Sequence, residues 1–475
     1  MCHGMCKVIP PQRPVSSAIE ARFKIDPKVE SLAGYAQRFS YAEIPARAVH
    51  QCRRIFIDTL GCALGALHTE PVRIAREMAM RASVPSGARI LGTSQRTVAE
   101  LAAFANGAAS RYLDANDTFP GGGGHPSDTI AAILAAADLK RCRGRSVIEA
   151  MVLAYEIYHA LWRATDLRQK GMDNVLYTTV ASAVATAKIL GLERHRIAEA
   201  IALAATPNVA LDATRYGDVA MWKGCAGGNA ARNGVFAALL AQAGMTGPDS
   251  ALSGAHGLEA LTGPFELQPL AASGGPYSIE TVTLKCFASE AHSLSPLTAA
   301  LELSRCTAAD EIETVTVDTY RFAWQVIGSG PEKWRPRTRE AADHSLPYVI
   351  ASALLHGRFD DSAFEPERLR DPRMHALMDR ITIREDRELT SRFPEQLACR
   401  IGVLLRNGET RIAQTDYPLG HPRNPMSDAD VEHKFRRHAR RWLPEKRIEG
   451  ALGALWRVDT AEDADSVFEA LEKRE

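Results

Sequence analysis

A chain of 475 residues is too long for one compact core, and at about 100–200 residues per domain it divides into two or three units. Lysine plus arginine equals aspartate plus glutamate, 57 against 57, so no global charge bias points to nucleic acid or an anionic membrane. No apolar run reaches the roughly 18–20 residues that span a bilayer, and nine scattered cysteines without a C-x-x-C pair argue for reduced thiols, not disulfides or a Cys-ligated metal.

Residues 1–28 carry Pro10, Pro11 and Pro14, lack the apolar stretch of a secretory signal, and read as a flexible tail. Cys2, His3 and Cys6 there are at most an adventitious metal site. Cytoplasmic residence is the expectation. From about Leu32 to Leu261 the pattern is helix after helix. Alanine and leucine recur at i, i+3, i+4 in Ala46–Leu67, Ala99–Tyr112, Thr129–Leu139, Val147–Leu161, Val175–Leu190, Arg196–Ala205 and Asn229–Ala243. Small side chains in stretches such as Ala181–Ala187 predict close helix packing, and Gly191 and Gly244 read as helix stops. This is a helical domain over residues 29–275.

Ser273-Gly274-Gly275-Pro276 breaks the pattern. Beyond it, Ile312–Tyr320 and Arg380–Arg384 alternate like half-buried strands. Leu397–Leu405 puts Leu397, Cys399, Ile401, Val403 and Leu405 on one face, and Asn407-Gly408 supplies a hairpin turn to a return strand ending near Tyr417. Helices at Leu294–Leu303 and Leu346–Leu354 complete a smaller α+β lid domain over residues 276–420. Helical residues 421–475, chiefly Asp428–Arg441 and Asp459–Leu471, are expected to return to the helical domain. The fold class is mainly α: a large all-helical domain plus a smaller α+β domain.

The most informative segment is Arg111–Asp128, RYLDANDTFPGGGGHPSD. A helix ends near Tyr112, acidic residues follow, and four glycines lead to His125-Pro126-Ser127 at the start of a new helix. An imidazole there sits where free N–H groups favour a carboxylate, and it can hold or release a proton. The run is not a phosphate loop, because it lacks Gly-Lys-Ser/Thr and follows a helix.

LDANDT with GHPSD resembles the signature of the MmgE/PrpD family, most closely its 2-methylcitrate dehydratase branch. CRRIFIDTLGCALG (Cys52–Gly65), KILGLERHRIAEAIALAA (Lys188–Ala205), MWKGCAGGNAARNG (Met221–Gly234), LKCFASEAH (Leu284–His292), DHSLPYVIA (Asp343–Ala351) and YPLGHPRNPMS (Tyr417–Ser427) are similar to further blocks of that family, in order, over nearly all of residues 32–445. The resemblance implies a helical domain with an α+β lid, a homodimer, no metal or other cofactor, and a site in the cleft between domains. Carried over position by position are Asp114, Thr118, His125, Lys223, Lys285 and Tyr348, with His292 following the dehydratase pattern.

The implied activity is a hydro-lyase that removes water from 2-methylcitrate or a related tricarboxylic acid. Lys223 and Lys285 would neutralise substrate carboxylates, Thr118 and Tyr348 would bind substrate, and His125 and His292 would share the acid and base roles, with Asp114 orienting His125. His344, beside Asp343, is a further substrate-binding candidate. The same site suits a decarboxylase or epimerase acting next to a carboxylate, or a non-catalytic carboxylate binder. Neither nucleic acid nor a membrane is an expected partner. Three departures stand out: Ala288 replaces the family's proline in LKCFASEAH, Asp173 and Asn174 stand where relatives carry a histidine, and the four-glycine run replaces bulkier residues.

Overall fold

A computed structural model describes residues 26–217 and 219–473. Most of the expected tail lies outside the described residues, as do Cys2, His3 and Cys6. Pro27 and Lys28, counted with that tail, instead open the first helix, α1 (Pro27–Arg38), whose Asp26 side chain caps the free N–H groups of Lys28 and Val29.

The larger body is built from α2 (Ala46–Ala66), α3 (Glu70–Met80), α4 (Ala99–Tyr112), α5 (Ile130–Lys140), α6 (Gly144–Ala164), α7 (Val175–Leu190), α8 (Arg194–Ala205) and α9 (Trp222–Gln242). Bounds read from periodicity coincide with α4 and α7 and run within three residues of α2, α5, α6 and α8. Helix α9 begins seven residues earlier than Asn229. Gly224, Gly227 and Gly228 look like a break in sequence but are the packing surface of this helix: a Cβ on Gly228 would lie 2.6 Å from the backbone of Ala108 and Phe104, and one on Gly107 would lie 2.5 Å from the Gly228 Cα. Without side chains there, α4 and α9 touch backbone to backbone. The body also holds a two-stranded ribbon, β1 (Ser83–Arg89) with β2 (Arg96–Thr97), which the helical reading did not anticipate. It is tied to α5 by the buried Arg89–Asp138 ion pair.

The smaller unit contains α10 (Leu294–Ser304), β3 (Ile312–Thr319), α11 (Leu346–His356), β4 (Ile381–Glu385), β5 (Cys399–Leu405) and β6 (Thr410–Thr415). The sheet order is β4-β3-β5-β6, with β3 parallel to β4 and antiparallel to β5. Cys399, Ile401, Val403 and Leu405 all face inward, as the alternation requires. The Asn407-Gly408 turn joins β5 to β6, with Gly408 at φ 87°.

After the sheet, α12 (Asp428–Ala439) packs Phe435 against Gly61 of α2, in the larger body. Two further helices follow, α13 (Glu445–Trp456) and α14 (Asp465–Leu471). The first was not expected, and the second starts six residues later than Asp459. Among the described residues no helix is long and apolar enough to cross a membrane, and the cysteines are unpaired.

Gly228→Ala tests the α4–α9 contact. The added methyl meets backbone that cannot rotate away, so a loss of about 1–3 kcal/mol is expected. A lowered unfolding temperature relative to the parent checks it.

Candidate active site

Helix α4 ends at Tyr112, and two residues later Asp114 takes a left-handed conformation, φ 51°, rare for a residue with a Cβ. That turn aims its carboxylate back under the helix. Asp114 Oδ1 accepts from Arg111 Nη1 at 2.7 Å and from Lys285 Nζ at 2.5 Å, and Oδ2 pairs with Lys223 Nζ at 2.9 Å. Lys223 also reaches Asp343 Oδ2 at 2.7 Å. These side chains are all buried. One carboxylate thus collects cations from α4, from α9 and from the strand-like segment entering the smaller unit, and Lys223 links it to that unit's second acid. Burial raises the Asp114 pKa, but Arg111 and the two lysines outweigh it and hold the group well below the carboxylate range.

Lys223 and Lys285 are both buried in this cluster, their ammonium groups paired with Asp114 and Asp343, and Lys285 also donates to the Ser289 carbonyl at 3.0 Å. Asp114, Asp343 and His344 lie close enough together to suggest metal ligands. The Lys223 ammonium already bridges the two carboxylates, so this set does not fit a cation.

His125 opens the turn before α5, as expected. Its ring is satisfied on both sides: Nδ1 lies 2.7 Å from the Asp117 carbonyl and Nε2 lies 2.8 Å from Arg111 Nη2. A carbonyl only accepts and a guanidinium only donates, so Nδ1 carries the hydrogen and Nε2 the lone pair. Burial, then Arg111 and Lys285, push its pKa well down, which agrees with a neutral ring. Gly124 makes this wall possible. It sits at φ 73°, and a Cβ there would lie 2.2 Å from the Tyr158 hydroxyl and 2.3 Å from Asn174 Nδ2.

His344 Nδ1 lies 2.5 Å from Asp343 Oδ1. The carboxylate is held ionised against its own burial by Lys223 and His344, so the imidazole donates through Nδ1 and leaves Nε2 free. Burial, and next Lys223, lower the His344 pKa. His292 is buried on an aromatic wall, 4.8 Å from the Phe322 ring centroid, with Nδ1 2.5 Å from the Tyr320 hydroxyl and Nε2 3.9 Å from Glu290 Oε1. Burial lowers its pKa as well.

A polar cavity joins Arg111, Asp114, His125 and His344 with Arg168, Asn174, Arg215 and Glu290. Through Arg168 and Asn174 it meets a cleft of about 770 Å³ walled by Gly122, Trp162, Phe322 and Phe393. Thr118 and Tyr348 stand outside this group. The Thr118 backbone bridges to Thr283, and its hydroxyl donates to the Phe119 carbonyl at 3.2 Å. Tyr348 is a core residue whose hydroxyl donates to the Ala363 carbonyl. Both hydroxyls are used by backbone. Sequence reasoning passed over Arg111, Asp343 and Glu290, although each sits inside a quoted segment or beside a chosen residue. Arg168 and Arg215 are lone arginines in loops and carried no local signal.

The MmgE/PrpD N-terminal domain model matches residues 30–268, and the MmgE/PrpD C-terminal domain model matches residues 287–457. The 2-methylcitrate dehydratase of Cupriavidus necator is 32% identical over 437 residues, covering 86% of this chain and 89% of its own. That of Escherichia coli K12 is 30% identical over 462 residues, 91% and 94% of the two chains. The mitochondrial 2-methylcitrate dehydratase of Yarrowia lipolytica is 29% identical over 463 residues, 91% and 88%.

The buried imidazoles set an acid limit on stability. His438 is pushed down to about 3, His159 and His421 to about 4, and His125, His292 and His344 are lowered too, mainly by burial. Unfolded, each titrates near about 6.5. Their stabilisation is present above that value and is lost as pH falls towards the lowered ones. Asp58, Asp117, Asp128, Glu156 and Asp212 oppose this: burial raises them, Asp117 to about 6 and Asp128 to about 7, so their contribution fades as pH rises through the raised values. The six imidazoles outnumber these five carboxyls, and Asp114 and Asp343, held low, also lose stabilisation in acid, so the unfolding temperature should drop between pH 6.5 and 4. A flat or rising profile there contradicts the neutral-imidazole assignment.

Proposed function

The chain belongs to the MmgE/PrpD family, and from that premise we propose that it is a cofactor-independent hydro-lyase that dehydrates 2-methylcitrate or a close tricarboxylic relative to a cis-aconitate-type product. The observation that carries the chemistry is a neutral imidazole, His344, braced by Asp343, on a cavity that Arg111, Arg168 and Arg215 also line. The substrate follows from relatives named 2-methylcitrate dehydratase along almost their whole length.

His344 Nε2 takes the proton from the carbon next to a carboxylate. The electron pair moves first towards that carboxylate and then into a carbon–carbon double bond, and the hydroxyl on the neighbouring carbon departs as water. Asp343 holds the imidazole in the receptive tautomer and stabilises the imidazolium that forms, as in other acid–imidazole pairs. Charge building on the substrate carboxylate falls beside Arg111, fixed between Asp114 and His125 and costing no reorganisation. The proton taken up by His344 passes to the leaving hydroxyl, which departs as water and returns the imidazole to its neutral form, with Glu290 and His292, 3.9 Å apart, standing beside it. His125 is a positioning residue: its Nε2 is occupied by Arg111, so it orients the guanidinium.

A homodimer acting in the cytoplasm is part of the same proposal. Exposed apolar residues gathered in one stretch, among them Leu211, Tyr216, Trp222 and Phe236, suit a subunit contact. Light scattering after gel filtration should give twice the chain mass, and a monomer would remove this part of the proposal.

Incubation with 2-methylcitrate should produce the ultraviolet absorbance of a conjugated carboxylate. Release of carbon dioxide would instead make it a decarboxylase, simple inversion an epimerase, and no turnover of any tricarboxylate a binder. His344→Gln should lower kcat by about 10²–10⁴-fold with little change in KM. Because burial lowers the His344 pKa, the acid limb of kcat/KM should lie below pH 6.5. EDTA should leave the rate unchanged.

A further inference from the structure

Among the described residues, several buried N–H groups lack a hydrogen-bond partner, and two of them, Arg168 Nε and Asn174 Nδ2, belong to residues lining the polar cavity. Asn174 is only 5% exposed, so its amide has no bulk water to fall back on. An unpaired buried donor is costly, and two on the lining of one cavity call for an acceptor.

Arg215 completes the group. Asp173 accepts from its Nε at 2.9 Å and its Nη2 at 3.3 Å, which fixes the plane of the guanidinium and leaves Nη1 unspent. The holder is itself pinned: Asp173 N–H donates to the Ala210 carbonyl at 2.8 Å, and Asp212 N–H donates to the Gly171 carbonyl at 3.0 Å. Two loops are thus laced together so that Asn174 and Arg215 line the cavity, with Asp173 buried behind them. On that lining the carboxylates are Asp114, already shared by three cations, and Glu290.

We infer that Arg168, Asn174 and Arg215 form a carboxylate subsite that holds the non-reacting end of a polycarboxylate, with Asp173 positioning Arg215. The inference rests on the proposed polycarboxylate reaction and names the residues that select its substrate. On this wall the chain has a permanent guanidinium with its own counter-ion and an amide packed against the Gly124 backbone. The planar donor edges match carboxylate geometry, and they stay charged at any working pH.

The test compares Arg168→Gln, Arg215→Gln and Asp173→Asn with the parent on 2-methylcitrate and on a 2-hydroxydicarboxylic acid lacking one carboxylate. Each variant should raise KM for the tricarboxylate at least tenfold, with kcat within about threefold, and the preference for three carboxylates over two should shrink. Arg215→Lys should recover less than half of that preference, because a point charge cannot present two donors. An unchanged preference in Arg168→Gln and Arg215→Gln overturns the subsite. Arg168 is partly exposed, so its variant keeps the test open if Arg215→Gln fails to fold. If the parent turns over no tricarboxylate, the proposed reaction fails, but citrate binding still decides the subsite. A citrate-dependent rise in unfolding temperature that is lost in Arg168→Gln and kept in the surface variant Arg384→Gln supports it. No rise in the parent, or the same rise in every variant, overturns it.

Discussion

The Asp114 carboxylate is the point on which the two units of this molecule meet. Burying an ion away from water costs several kcal/mol even after relaxation, and the cost is offset only when partners are close and well aligned. Asp114 meets that condition through three cations from three separated stretches of chain: Arg111, Lys223 and Lys285. Lys223 carries the network on to Asp343 in the smaller unit. Beneath it, Lys434 of α12 donates to the carbonyls of Ala115 and Lys285, both at 2.6 Å, while its charge faces Asp58 of α2. Residues next to Asp114 and Lys285 are therefore held from below by the chain's return to the helical body. The left-handed backbone at Asp114 is a local strain that these contacts over-determine.

The chemistry inherits its geometry from that cluster. Arg111 divides its guanidinium between Asp114 and His125, so the acid fixes the arginine and the arginine fixes the imidazole tautomer. Asp343 divides its oxygens between Lys223 and His344, so the lysine keeps the acid ionised and the acid keeps the other imidazole receptive. The two lysines hold Asp114 and Asp343 in place. Contact with the substrate falls to the guanidinium groups, His344 and Glu290, which surround the cavity. Gly122 leaves open the approach to His292: a Cβ there would stand 3.6 Å from its Nε2 and from the Phe322 ring.

Much of the fold was legible in sequence because periodicity records burial directly. Helices α4 and α7 and the alternating face of β5 follow from which side chains must be inside. Glycine misled at α9, since Gly224, Gly227 and Gly228 break a pattern of propensity while serving a backbone contact that only three dimensions reveal. In the site, residue types were readable but their pairings were not. Lys223 and Lys285 read as receptors for substrate carboxylates, and their pairing with Asp114 and Asp343, far away in sequence, could not be read. Arg168 and Arg215 were invisible for the opposite reason: nothing in a loop arginine's neighbours says that Asp173, across a turn, will aim it into a cavity.

The dependence on Asp114 is open to one direct measurement, a thermodynamic cycle of Asp114→Asn and Lys285→Met read by urea unfolding. If the buried pair organises the junction, each single change strands a charge and costs about 3–5 kcal/mol. The double variant then costs less than the sum, with a coupling of about 2 kcal/mol or more. Additivity within about 0.5 kcal/mol would mean that the two side chains do not depend on each other, and the account of the junction would be wrong.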